Sequence, residues 1–179
     1  MDLKGSKTEQ NLWAAFAGES QARNKYSFFA SQADKEGFKQ IAAIFLETAD
    51  NEKEHAKRLF KFLMGGAVPA TAENLLGSAE GENEEHTSMY PEFERIAREE
   101  GFNEIADVFK EIAEVEEEHE KRFRKLLENV KNNTVFKKDK PVKWRCRNCG
   151  YVHEGTEAPE ECPACAHPQS YYEVMAENY

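Results

Sequence analysis

The sequence predicts an all-α four-helix bundle followed by a small C-terminal metal-binding domain, and three observations carry that prediction. A long helix-forming segment occurs twice, apolar stripes at helical spacing are interrupted by Glu and His at equivalent places, and the four cysteines all fall between Cys146 and Cys165. The chain has 179 residues, 40% hydrophobic and 32% charged, enough for one ordinary domain and a small appended module. The longest apolar runs, Leu12 to Ala17 and Ile41 to Leu46, are six residues each, against the roughly 20 that span a bilayer. Residues Met1 to Gln10 are polar and lack the apolar core of a secretory signal, so a soluble, cytoplasmic protein with no membrane partner is expected. A net charge of −10, from 24 Lys and Arg against 34 Asp and Glu, argues against a nucleic-acid partner, whose phosphates need facing cations.

The repeat sets the order of the helices. Residues 37–63 align on 101–127 with a shift of 64, and 14 of the 27 pairs are identical. Upstream, Gly18-Glu19 matches Gly81-Glu82 and Tyr26 matches Tyr90, provided one extra residue is allowed between Glu82 and Tyr90. Gly37 and Gly101 each close a helical pattern, where glycine adopts the left-handed turn that ends a helix. Two tight hairpins follow, of helices at about 9–36 with 38–64 and about 74–99 with 102–130. A Pro-containing break, Gly65 to Thr71, separates them. Composition shifts near residue 131, so the domains read as a helical bundle at 1–131, a linker at 132–141 and a module at 142–179.

Inward positions in the second helix run Ile41, Phe45, Thr48, Glu52, His55, Leu59, Phe62; in the fourth they run Ile105, Phe109, Ile112, Glu116, His119, Phe123, Leu126. The first helix directs Glu19 inward and the third directs Glu82, at similar depths. Each unpaired buried carboxylate costs several kcal/mol, and four at one level would exceed a domain's net stability of about 5–15 kcal/mol. Multivalent cations remove the conflict. One Glu from each of two helices with Glu-x-x-His from each of the other two is the ligand set of di-iron carboxylate bundles, here Glu19, Glu82, Glu52 with His55, and Glu116 with His119. Glu85 lies one turn beyond Glu82, and on motif alone surface exposure and ligation both fit it. Tyr26 and Tyr90 occupy equivalent inward positions that suit core packing or the site equally, and His86 and His153 are read as non-ligands.

Cys146-x-x-Cys149 and Cys162-x-x-Cys165 form two thiolate knuckles separated by 12 residues. Such a set closes a tetrahedral site for zinc or for a single iron. A zinc would only fold the tail, whereas an iron carries one electron, and the neighbouring di-iron pattern favours iron.

Several stretches, GESQARNKY at 18–26, ETADNEKEHAKR at 47–58, GENEEHTSMYP at 81–91, EVEEEHEKRF at 114–123, and CRNCGYVHEG with CPACAHP in the tail, together resemble the rubrerythrin family. The resemblance spans almost the whole chain. It implies a ferritin-like bundle with a rubredoxin-like domain, and a non-haem di-iron peroxidase that reduces hydrogen peroxide to water in oxidative-stress defence. It also implies that Glu85 is an iron ligand, that Glu85 and His55 exchange at one iron with redox state, that Tyr26 and Tyr90 line the site, and that Cys146, Cys149, Cys162 and Cys165 hold one iron. Electrons would come from an NADH-linked chain through a donor such as a rubredoxin or an NAD(P)H-dependent reductase. The main alternative is a ferroxidase or iron-storage protein, which needs a closed shell in which a redox tail has no evident place.

The segment between the hairpins is short beside some members of that family, and ten Cα steps from Met64 to Asn74 must run most of the length of a bundle. So taut a connection favours a homodimer in which helices one and two of one chain complete the bundle with helices three and four of the other.

Overall fold

The computed structural model describes residues 2–178, and they pack as two compact units, the first ending at Pro69 and the second beginning at Ala70. The first unit is a hairpin of α1 (Lys7–Lys35) and α2 (Lys39–Leu63). Helix α1 starts two residues earlier than the apolar pattern suggests because Ser6 caps it, its Oγ accepting from the Glu9 amide at 3.1 Å while the Glu9 carboxylate accepts from the Gly5 amide at 2.6 Å.

The second unit opens with α3 (Thr71–Glu84), one π-helical turn (Glu85–Met89) and α4 (Tyr90–Glu99), which form one continuous helix paired with α5 (Asn103–Lys131). Helix α3 begins at Thr71 rather than near Asn74, since the Glu73 carboxylate accepts from the Ala70 amide at 3.2 Å and so satisfies an end donor that would otherwise fray. The π turn stands where the repeat demands an extra residue. Helix α1 passes from Glu19 to Tyr26 without interruption, whereas the equivalent path from Glu82 to Tyr90 holds one more residue, absorbed by a bond from the Tyr90 amide to the Glu85 carbonyl five residues back.

Both hairpins turn the same way. The Phe38 amide bonds Ala33 O at 2.9 Å and the Phe102 amide bonds Ala97 O at 2.8 Å, with Gly37 at φ 88° and Gly101 at φ 87° between them. The seam within each hairpin is lined with alanine: Ala30, Ala33, Ala42, Ala49 and Ala56 are buried in the first unit, Ala79, Ala97 and Ala106 in the second. The stripes read as core from the sequence therefore lie on open faces. Ile41 is 47% exposed and Ile105 50%, with Ile44, Phe62, Val108 and Leu126 also exposed, because two helices bury only the seam between them and a wide apolar face needs a further layer.

In the tail, β1 (Lys137–Cys146) pairs antiparallel with β2 (Val152–Glu157) and β3 (Tyr172–Val174) in the order β2-β1-β3. Strand β1 begins at Lys137, inside the stretch read as linker. Its small core is Trp144, Cys146, Ala158, Cys162 and Tyr172, with Trp144 Nε1 donating to Gly155 O at 2.9 Å.

Nothing lies within 4 Å of a Cβ built on Gly101, so the penalty there is conformational alone. Gly101→Ala is expected to cost about 1–2 kcal/mol, the price of a Cβ in the left-handed region, and to lower the thermal midpoint by a few degrees, read by circular dichroism.

Candidate metal centres

Helix pairing within each hairpin brings three of the expected ligands together. In the first unit Glu19, Glu52 and His55 offer donor atoms all within 4.8 Å of one another. His55 Nδ1 lies 2.9 Å from Glu52 Oε2 and 3.7 Å from Glu19 Oε1. The second unit repeats this with Glu82, Glu116 and His119: His119 Nδ1 lies 2.6 Å from Glu116 Oε2 and 3.7 Å from Glu82 Oε2. Two donors each about 2.1 Å from one ion stand roughly 3–4 Å apart, so each trio has the spacing of a half-shell around a divalent metal.

Electrostatics agree. The Glu19 carboxyl titrates above its ordinary range, chiefly through a hydrogen bond with Glu52, then through loss of water and the Glu52 charge, with His55 opposing. Glu82 is raised as well, first by burial and then by its hydrogen bond with Glu116 and that group's charge. In each pair, the neighbouring carboxyl makes ionisation of Glu19 or Glu82 harder. A cation between the carboxyls would relieve that repulsion.

Glu85 stands outside the second trio, half-buried, and its charge helps to raise both Glu82 and Tyr90. Tyr26 and Tyr90 are half-buried at matching places: Tyr26 lies 6.1 Å from the Phe45 ring, and Tyr90 lies 6.1 Å from that of Phe109. The Tyr90 hydroxyl titrates above its usual range, first from burial and then from Glu85.

One cluster escapes the sequence reading. Glu120, the residue after His119, takes Asn83 Nδ2 at 3.1 Å, His86 Nε2 at 2.6 Å and Arg124 Nε at 2.6 Å. Its carboxyl falls to about 2, with His86 the largest cause, then Asn83 and Arg124. The signal was present: at the repeat-equivalent place the first half has Ala56, which is buried.

In the tail, each knuckle closes on itself, the Gly150 amide bonding Cys146 O at 2.9 Å and the Ala166 amide bonding Cys162 O at 2.8 Å. All four thiols are free of disulfides, and their sulfurs lie within 4.8 Å of one another. The Cys146–Cys165 and Cys149–Cys162 separations are 3.8 and 3.7 Å. A regular tetrahedron with metal–sulfur bonds of about 2.3 Å has edges of about 3.8 Å, so the donor set fits a single four-coordinate metal. Burial pushes the Cys165 thiol up, yet the backbone donor of His167 and bonds from Asn148 and the neighbouring thiols bring it to about 6, so a thiolate is ready at neutral pH.

Because metal binds the ionised carboxylates and Glu19 and Glu82 titrate above their ordinary range, affinity at the helical trios should weaken as pH falls, by up to about tenfold per unit for each proton displaced. Calorimetric titration with a divalent metal in buffers of different ionisation heat reads that proton release; a release of zero at mildly acid pH contradicts the raised titration of Glu19 and Glu82.

Comparison with known proteins places these residues in context. Residues 10–127 match the family described as rubrerythrin, and residues 144–173 match the rubrerythrin, rubredoxin-like domain. Rubrerythrin of Nitratidesulfovibrio vulgaris is 60% identical, over 99% of this chain and 98% of that protein. Rubrerythrin of Porphyromonas gingivalis is 56% identical over 99% and 94%, and rubrerythrin-1 of Clostridium acetobutylicum 52% over 99% and 98%.

Proposed function

The chain belongs to the rubrerythrin family of di-iron proteins with a rubredoxin-like site, and from that premise we propose that it is a peroxidase, reducing hydrogen peroxide to water with electrons that enter through the four-cysteine tail. The observation that carries this reading is the coexistence in one chain of two matched carboxylate–histidine trios and a tetrahedral thiolate set. Storage of iron would use the first and leave the second without a task. Glu19, Glu52, His55, Glu82, Glu116 and His119, joined by Glu85, would hold two irons, and the four cysteines one. When bound, the helical irons supply two electrons to the O–O bond and the tail iron supplies one at a time.

The protein's own groups account for the protons. Reduction of one peroxide consumes two electrons and two protons and yields two waters. The Glu19 and Glu82 carboxyls, which titrate above their ordinary range, are the groups suited to pass protons beside the metal-facing donors. Tyr90, held neutral by burial and by Glu85, places a hydroxyl donor beside them, and Tyr26 is its counterpart in the first hairpin. His55 is the more open of the two histidines, its side chain 61% exposed against 38% for His119, which suits the one that exchanges with Glu85 as the redox state changes. Hydrogen peroxide is the substrate, and a rubredoxin or an NADH-linked reductase is the electron donor. No helix among the described residues is long and apolar enough to cross a membrane, and a cytoplasmic setting completes the proposal. Cys149→Ser should leave the helical centre able to be oxidised by peroxide once while abolishing sustained reduction with a rubredoxin donor. Undiminished steady-state turnover of that variant would rule out the tail as the inlet.

The proposal includes a homodimer with exchanged helix pairs, and the observed helix ends strengthen the chain-length argument for it. Ferritin-like bundles contain one long crossover. Helix α2 continues 11 residues past Glu52 to Leu63 and α3 runs 11 residues from Thr71 to Glu82, about 16 Å each at 1.5 Å per residue. A crossover within one chain must then span about 33 Å. Eight Cα steps from Leu63 to Thr71 reach only about 26–29 Å. Covering the open faces that carry Ile41, Ile44 and Phe62, or Ile105, Val108 and Leu126, stabilises the assembly by about 1.5–3 kcal/mol for each large side chain fully buried. Glu52→Ala and Glu116→Ala should each abolish di-iron assembly alone. Co-refolded in equal amounts, exchanged pairs should restore about a quarter of the sites, since half the dimers are mixed and each holds one intact centre. Recovery of none contradicts the exchange.

A further inference from the structure

The two hairpins are near copies, and they differ in a linked pair of features. The second carries the extra residue that makes the π turn of residues 85–89, and it alone carries a carboxylate anchor beneath that turn. Where α5 has Glu120 and Arg124, the shift of 64 gives Ala56 and Phe60 in α2, and the uninterrupted α1 has no π turn to hold. A π turn is intrinsically less stable than the α-helix around it, and the rotation it imparts to the residues that follow is free to relax unless something outside the helix pins it.

Glu120 provides that pin. Its Oε2 receives Asn83 Nδ2 at 3.1 Å and His86 Nε2 at 2.6 Å, from residues three apart on the helix that brackets the start of the turn. Two attachments one turn apart fix both the height and the rotation of a helix, where one attachment would leave it free to swivel. Arg124 Nε bonds the other oxygen at 2.6 Å and holds the carboxylate itself still. The pair is well shielded, with His86 and Glu120 side chains 16% and 12% exposed, so the bonds are not competing freely with water. Glu85 sits between the two attached residues in sequence, and Glu120 follows His119 directly on α5. The same bonds therefore register Glu85 against the helix that carries Glu116 and His119.

We propose that Glu120, through Asn83 and His86, is the positioning residue for Glu85: it locks the π turn so that the Glu85 carboxylate is presented to the helical metal centre, which makes the two halves of a duplicated site unequal. The proposal rests on the reading of Glu85 as a ligand. Its test uses the full-length protein, with cobalt(II) as probe, and reads no peroxide turnover. The ligand-field bands of oxygen- and nitrogen-bound cobalt are separable from the thiolate bands of the tail. Glu120→Ala, which installs the residue that the first half already carries, should exchange the amides of Met89 and Tyr90 at least about tenfold faster in the metal-free protein. It should also weaken cobalt binding at the helical centre by about 10- to 100-fold, as loss of a residue supporting a ligand does, and give the spectrum of Glu85→Ala. Adding Glu120→Ala to Glu85→Ala should then change the affinity by less than about twofold, because both act through one group. His86→Leu should behave like Glu120→Ala, and His86→Gln, which still donates to the carboxylate, should stay near the parent protein; this pair carries the test should Glu120→Ala fold poorly.

Unchanged exchange and affinity in both Glu120→Ala and His86→Leu overturn the proposal, as do losses that multiply in the Glu85→Ala/Glu120→Ala double variant. If Glu85→Ala itself binds cobalt as the parent does, the ligand reading fails and the positioning role falls with it. That outcome is distinct from a lock that fails while Glu85→Ala is impaired.

Discussion

A seam of alanines governs this molecule. With methyl groups at Ala33, Ala42, Ala49 and Ala56, and again at Ala79, Ala97 and Ala106, the backbones of each hairpin approach closely along the seam. Many of the large apolar residues, Ile41, Ile44, Ile105 and Val108 among them, are turned outward on the same open faces as the carboxylates and imidazoles. The close approach is also what brings Glu19 on α1 to Glu52 and His55 on α2, and Glu82 on α3 to Glu116 and His119 on α5. Larger seam residues would widen the gap, and the donors would part.

From that geometry follows a conflict that only a cation resolves. Each hairpin sets two carboxylates and an imidazole within 4.8 Å of one another on a surface rich in isoleucine, valine and phenylalanine. Covering such a surface without a metal would strand the carboxylates away from water; leaving it open would waste the apolar area. Packing and ligation are thus one requirement, and each helps to satisfy the other. The tail solves a smaller version of the same problem. Its core is five buried residues, two of them cysteines, so a metal held by four thiolates does the work that a larger apolar interior does elsewhere.

Much of this was legible in the residues. The repeat, the glycine turns and the i, i+3 spacing of Glu and His all depend on local rules, and α2 and α5 carry their Glu–His pairs where the stripes place them. Reading those stripes as buried was the chief departure, since periodicity shows which face is apolar but not what covers it. The start of α3 moved because the Glu73 carboxylate reaches back to the Ala70 amide. The roles of Asn83, His86 and Glu120 were hidden for a different reason: their bonds join residues 34 and 37 positions apart, and no local rule pairs an acid on one helix with an amide and an imidazole on another. The one-residue mismatch between the halves marked the place without showing its form.

That mismatch makes the number of residues in the third long helix a structural quantity in its own right. Helices α3 and α4 are in phase with α5 only because the turn between them takes in one residue more than an α-helix would hold. Each residue of an α-helix advances the side-chain direction by about 100°, so a gain or loss of a single codon between Glu82 and Tyr90 would carry Tyr90, Phe93 and Ile96 off their shared face together. Substitutions in this stretch change one side chain at a time, whereas changes of length act on the whole of α4. The segment is therefore far more constrained in its count than in its composition, and an alignment that closes the gap between the two halves by deleting a residue misplaces everything from Tyr90 to the end of that helix.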